Sequence, residues 1–168
     1  MRRAGKTRTG ICDGHNVEQP RKFIMRKLIV VVGLPGAGKS TLLKALSMNS
    51  DYRIVEDFMK DSIGHSPGIT CSKHYSEIVR LLRSKTVCAI ADIAFCDTAR
   101  RLELQAVFTA DVADLLIEWR FFANDADACR RNVEKRKRTE RKEELEKINV
   151  LSERYFIPEG AATIPVEG

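Results

Sequence analysis

The stretch Gly33-Leu34-Pro35-Gly36-Ala37-Gly38-Lys39-Ser40-Thr41 (GLPGAGKST) decides the reading of this chain. It fits the pattern G-x-x-x-x-G-K-[ST], with Gly33, Gly38, Lys39 and Ser40 in the fixed positions. LIVVV (Leu28 to Val32) precedes it as a buried-strand run, and an amphipathic segment, Lys39 to Met48, follows it with Leu42, Leu43, Ala45 and Leu46. In that setting the N–H groups of the turn and of the helix N-terminus converge on one point, where phosphate oxygens can accept from them. Glycine is needed because a Cβ would block the approach. Gly33, Pro35, Gly36, Ala37, Gly38, Lys39, Ser40 and Thr41 are therefore expected to cradle a nucleoside triphosphate. Lys39 would bridge its β- and γ-phosphates, and the Ser40 hydroxyl would coordinate Mg²⁺.

Working outward, strands and helices alternate. Tyr52 to Val55 reads as a second strand, Tyr75 to Arg83 as a helix, and Thr86 to Ala91 (TVCAIA) as a third strand. Thr98 to Phe108 reads as a helix capped by Asp97, Leu115 to Phe122 as a fourth strand, and Asn124 or Asp125 as the cap of a long helix. A short last strand is expected between Ala161 and Val166. This order predicts an open α/β domain whose mostly parallel sheet of about five strands is covered on both faces, with right-handed crossovers. Ligands of such sheets bind at the carboxyl ends of the strands, here Gly33 onward, Glu56 and Asp57, Asp92, and Ala123 onward.

Composition bounds the rest. With 168 residues and 43% hydrophobic content, one domain is expected to fold alone. The formal charge of +6 sits entirely in residues 1–27, which carry eight Lys/Arg and two Asp/Glu, leaving 21 of each sign in the remainder. The basic balance therefore describes a tail and not a polyanion-binding body. Residues 1–24 lack periodicity and read as a basic flexible extension that gives way at Met25 to the domain, 25–168. No apolar run approaches the ~20 residues that cross a bilayer, and none follows the N-terminal arginines as a signal peptide would require, so a cytoplasmic protein without membrane contact is expected. Five dispersed cysteines without a C-x-x-C pair read as reduced thiols, and the isolated histidines argue against a His or Cys metal site.

The chain has no N-K-x-D element, and after the third strand it reads Asp92-Ile93-Ala94-Phe95 instead of D-x-x-G, which disfavours a guanine-specific switch. The L-S-G-G-Q signature of transporter ATPases is also missing. Asp92 itself, an acid closing a hydrophobic strand, is placed to reach Mg²⁺ through water, although an acid at a strand end is a common structural feature as well.

On the phosphate loop, which fits G-x-P-G-[SA]-G-K-[ST], the sequence resembles P-loop kinases, in particular the polynucleotide 5′-hydroxyl kinase-like and related small-molecule kinase domains, from Leu28 to about Pro158. The resemblance implies the P-loop NTPase three-layer fold with a helical lid. It also implies an Asp at the end of the second strand that activates the acceptor hydroxyl, matched by Asp57 in IVEDFMK, with Glu56 as the fallback and helix capping as the structural alternative. The Arg that follows this Asp in the polynucleotide enzymes is Lys60 here, which offers a point charge in place of a bidentate fork. Arg100 and Arg101 are further candidates for acceptor contacts.

A lid is expected over about 125–150. Helical apolar spacing at Ala126, Cys129 and Val133 stops, the eleven residues Glu134 to Glu144 contain no apolar side chain, and the spacing resumes at Leu145, Ile148 and Leu151. The resemblance gives this segment arginines that close on the transferring phosphoryl group, matched by Arg130, Arg131 and Arg136, with Arg130 and Arg136 as the catalytic candidates. A solvated helix laced by ion pairs is the alternative. The expected activity is Mg²⁺-dependent transfer of the γ-phosphoryl group of ATP to a hydroxyl of a small molecule or a nucleic-acid 5′ end, nucleic acid being a permitted but not a required partner. The other reading is a nucleotide-binding regulatory module with no small-molecule acceptor.

Overall fold

The computed structural model describes residues 26–48, 51–60, 62, 67–136, 139 and 141–167. The expected extension, 1–24, lies outside the described residues, as do three positions of the expected lid, 137, 138 and 140.

Five strands form one sheet in the order β2-β3-β1-β4-β5: β1 (Arg26–Val32), β2 (Tyr52–Val55), β3 (Val87–Ala91), β4 (Leu115–Phe122) and β5 (Thr163–Ile164). All four pairings are parallel. β1 lies at the centre, with Val31 opposite Ala91 on one side and Arg120 on the other. Leu28, Ile29, Val30, Val31 and Val32 are all 0% exposed. Successive strand residues face opposite ways, so an uninterrupted buried run means that both faces of the sheet are covered.

The covering helices are α1 (Lys39–Ser47), α2 (Tyr75–Arg83), α3 (Thr98–Asp111), α4 (Ala126–Glu134) and α5 (Arg141–Ser152). Helix α2 buries Tyr75, Ile78, Val79 and Leu82, spaced so that they share one face. The Asp97 carboxylate caps α3 by accepting from the Ala99 N–H, and Asp125 caps α4 by accepting from that of Ala128. Asn124, the other cap candidate, instead donates to the carbonyl of Ser152 at 2.8 Å.

The single long helix expected after β4 is two helices, α4 and α5. The break falls inside the stretch without apolar side chains, where no burial offsets the entropy of ordering the backbone. Two short 3₁₀ turns, Ile69–Cys71 and Ile93–Cys96, were not foreseen. Among the described residues no helix is long and apolar enough to cross a membrane.

Candidate active site

The chain leaves β1 on one side of the sheet's centre and returns on the other, so the loop after β1 opens where strand order switches, the ligand crevice of an open parallel sheet. Gly36 and Gly38 take φ of +83° and +106°, the left-handed region that costs a side-chain-bearing residue about 1–2 kcal/mol. At Gly36 space also forbids a side chain, because an added Cβ would lie 2.5 Å from the Cys129 carbonyl oxygen and 3.0 Å from Val133 Cγ2. Helix α4 is thus packed directly on the loop.

No side chain caps the N-terminus of α1, and no acidic residue stands in its first turn. The first N–H groups of a helix have no intrahelical partner, so this end presents donors and partial positive charge to an anion. Ser40 and Thr41 are exposed there. Lys39 folds back over the loop, its ammonium donating to the carbonyls of Gly33 at 2.8 Å and Leu34 at 2.9 Å. Burial lowers its pKa, opposed by the charges of Asp92 and Asp57, among others. Burial also pushes the thiols of Cys96 and Cys129, both near Lys39, up to about 11, so they stand beside it as neutral groups.

The two acids of interest are joined through the backbone. The Phe58 N–H donates to the Ala91 carbonyl at 3.1 Å, extending the pairing of β2 with β3 beyond the strands. One residue on, the Met59 N–H donates to Asp92 Oδ2 at 2.8 Å, while Asp92 Oδ1 accepts from the Ala94 N–H at 2.8 Å. Asp92 is 6% exposed and its pKa is raised, because burial outweighs those two hydrogen bonds. Asp57 is exposed and its charge acts on both Asp92 and Lys39. Its φ of +49° is a conformation that Asp and Asn tolerate better than most residues. The next residue, Phe58, is 0% exposed and packs its ring 6.1 Å from that of Phe95 and 6.2 Å from that of Phe108. That anchor holds the Asp57 turn in place from below.

The chain is similar over residues 28–156 to the family described as "AAA domain". It belongs to that family. A match spanning more than half the chain carries the assignment, and the family is a P-loop NTPase-like one that includes kinases. An uncharacterized protein of Acanthamoeba polyphaga mimivirus is 32% identical over 133 residues, covering 79% of this chain and 88% of the viral one. This member of the AAA-domain family is a P-loop nucleotide-binding domain.

A divalent cation in such a site is held by one or two protein oxygens together with phosphates and water. The Ser40 hydroxyl and the Asp92 carboxylate, both hard oxygen donors, fit Mg²⁺. Each Asp92 oxygen already accepts one backbone N–H, which fixes the carboxylate and favours contact through water.

The three arginines expected to close on phosphate, Arg130, Arg131 and Arg136, are placed differently from one another. Arg130 donates to Asp127 Oδ1 at 2.6 Å and, from a second nitrogen, to Asn149 Oδ1 at 2.8 Å, tying α4 to α5. Arg136 follows α4, and its charge reaches Cys129, whose carbonyl abuts Gly36. Arg131 is exposed. Arg101, expected as an acceptor contact, is 6% exposed and fully engaged: it donates to the carbonyls of Phe95 at 2.9 Å and Phe156 at 2.6 Å and to Thr98 Oγ1 at 2.8 Å, and lies over the Phe121 ring. Arg100 bonds Glu103 and the Pro67 carbonyl.

Two residues that sequence reasoning missed complete the surroundings of the loop. The Tyr155 hydroxyl donates to the Phe122 carbonyl at 2.6 Å and lies 3.1 Å from that of Val32, stapling the chain after α5 to the ends of β1 and β4. Asn132 donates to the Gly36 carbonyl at 3.1 Å and to the Glu167 carbonyl at 2.5 Å. No local pattern announces either contact, since each joins residues more than thirty positions apart.

Proposed function

We propose that this chain is an ATP-dependent, Mg²⁺-requiring kinase that moves the γ-phosphoryl group to an alcohol. The observation that supports the reading is the 2.8 Å bond from the Met59 N–H to Asp92, which ties the turn carrying Asp57 to the acid after the third strand, both close enough for their charges to act on Lys39. A nucleotide-binding module without an acceptor has no use for the exposed Asp57, held in the left-handed region next to a buried Phe anchor.

In this reading the amides from Gly33 to Thr41 bind the triphosphate and Lys39 leaves its loop carbonyls for the β- and γ-phosphates. Ser40 and Asp92 hold the Mg²⁺ ion, which supplies charge neutralisation at the phosphates. Asp57 accepts the proton of the acceptor hydroxyl as its oxygen forms the new P–O bond, and the bond to the β–γ bridging oxygen breaks with its electron pair leaving on ADP. Residues 25–168 make up the catalytic domain, 1–24 a separate basic extension, and about 125–150 the lid. Arg130 and Arg136 are the catalytic arginine candidates, the charges of both acting on Cys129 beside the loop, and Arg130 would have to exchange Asp127 and Asn149 for phosphate on closure.

The test is a screen of alcohols, sugars, nucleosides and 5′-hydroxyl oligonucleotides with ATP labelled in its γ-phosphoryl group. Label appearing in an acceptor supports the kinase. Release of free phosphate alone, across the whole panel, would favour the regulatory module.

A further inference from the structure

A cavity of about 570 Å³ opens between the 3₁₀ turn that follows Asp92 and helix α5. On one side its wall is Ile93 and Ala94; on the other it is Val150 and Leu151. Glu143, Glu146 and Lys147 form the rim. Ala94, one of these wall residues, donates its N–H to Asp92 Oδ1 at 2.8 Å, so the cavity opens beside the turn that holds this carboxylate and runs outward along α5. Val150 is 53% exposed, an apolar side chain in the interior of a helix facing open space.

The charges on the rim are not arranged for an anion. Lys147 lies 3.8 Å from Glu143 and is compensated by it, while Glu146 has no ion-pair partner among the described residues. A phosphorylated or polyanionic acceptor entering here would lose water and meet an uncompensated carboxylate, whereas an apolar body gains burial against four aliphatic side chains. The volume is that of a small-molecule site, with an apolar floor and a few polar groups at the edge.

We infer that this cavity is the acceptor subsite, and that the acceptor is a small alcohol with an apolar body and no negative charge. The inference rests on the kinase reading and narrows it, placing nucleic-acid 5′ ends outside the substrate class. The hydroxyl end of the acceptor lies toward Asp92 and Asp57 and the apolar end against Val150 and Leu151. The transfer balances as above: the acceptor oxygen gains phosphorus and loses its proton, and ADP leaves with the electron pair of the broken P–O bond.

The test uses full-length protein with ADP and Mg²⁺, and three probes that share one aromatic alcohol body and carry a neutral, a cationic or an anionic para group: para-methyl benzyl alcohol, para-aminomethyl benzyl alcohol and para-carboxy benzyl alcohol. Ligand-observed NMR titration should show the neutral and cationic probes binding at least about tenfold more tightly than the carboxylate. Val150→Glu, an exposed position whose change leaves the core intact, should abolish binding of the neutral probe while ADP affinity is retained. Glu146→Lys should shift the preference toward the carboxylate. Equal binding of all three probes, no binding of any, or indifference to Val150→Glu would overturn the assignment. Labelled ATP separates the two claims. Probe binding with label passing only to water supports the cavity and sinks the kinase, while label passing to a 5′-hydroxyl oligonucleotide with Val150→Glu unaffected does the reverse.

Discussion

Asn132 of helix α4 donates to the Gly36 carbonyl at 3.1 Å, so that helix and the tip of the phosphate loop are one mechanical unit. The same amide reaches the Glu167 carbonyl beyond β5. The helix therefore cannot swing away as a rigid body without breaking a bond to that loop. The loop's shape also depends on α4 staying close, and that contact can be tested sterically.

Gly36→Ala should destabilise the fold by about 2–4 kcal/mol, combining left-handed strain with overpacking against Cys129 and Val133. Gly160 has a similar φ of +75° but nothing within 4 Å of an added Cβ. Gly160→Ala should therefore show the strain alone, about 1–2 kcal/mol. Thermal unfolding of the two variants should differ by several degrees, at about 2–4 °C per kcal/mol for a chain of this size. Equal melting temperatures would remove the steric argument.

Lys39→Ala removes the ammonium that hydrogen-bonds two loop carbonyls in the free protein and is available to phosphate. Charge-assisted hydrogen bonds contribute about 1.5–3 kcal/mol each, so ATP affinity should fall by about 10- to 150-fold. Calorimetric titration with MgATP measures it, and unchanged affinity would contradict the cradle.

Much of this was legible in the sequence because it depends on local chemistry. β2, α2 and β4 lie where periodicity places them, since alternation and helical spacing report which face is buried. The phosphate loop is equally local, being a spacing of Gly, Lys and Ser on consecutive residues. What escaped was non-local. Nothing near Arg101 says that its guanidinium will be consumed by the Phe156 carbonyl, 55 positions away, and nothing near Tyr155 points to Val32. The helix break after Glu134 was hidden for another reason: charged residues with high helix propensity look helical, and only the absence of a surface to pack on interrupts them.

Arg101 is a buried cation held by carbonyls, a hydroxyl and the face of Phe121. Arg101→Leu should destabilise by about 1–3 kcal/mol, because the buried Phe95 carbonyl is left without its donor and the partly buried bond to Phe156 is lost. Denaturant unfolding checks this. A variant as stable as wild type would mean that those carbonyls find other partners.

Asp92 should make metal-assisted binding sensitive to acid. Its pKa in the folded protein is raised above the ordinary 3.8 by burial. In the ligand-free protein the protonated form is thus favoured by folding, a contribution present below the unfolded value and lost as pH rises through the folded one. Mg²⁺ needs the carboxylate and competes with that proton. Lowering the pH toward that raised pKa should weaken MgATP binding more in wild type than in Asp92→Asn, whose amide does not titrate. Titrations over a descending pH series that ends below the ordinary carboxylate range provide the comparison, and parallel losses throughout would take Asp92 out of the metal site. The variant should also lose about 1–3 kcal/mol of stability, since its amide nitrogen must face the N–H of either Met59 or Ala94.

Asp57 offers the sharpest separation of binding from chemistry. Asn is the informative replacement because it accepts the +49° φ that Ala would strain, so a loss of rate reports the missing carboxylate and not a moved turn. Asp57→Asn should bind MgATP as wild type does and unfold at the same temperature, while transfer to whichever alcohol the acceptor screen identifies falls by about 10²- to 10⁴-fold. Undiminished turnover in this variant would shift the base to the exposed Glu56, one residue earlier, and Glu56→Gln would then show the same loss.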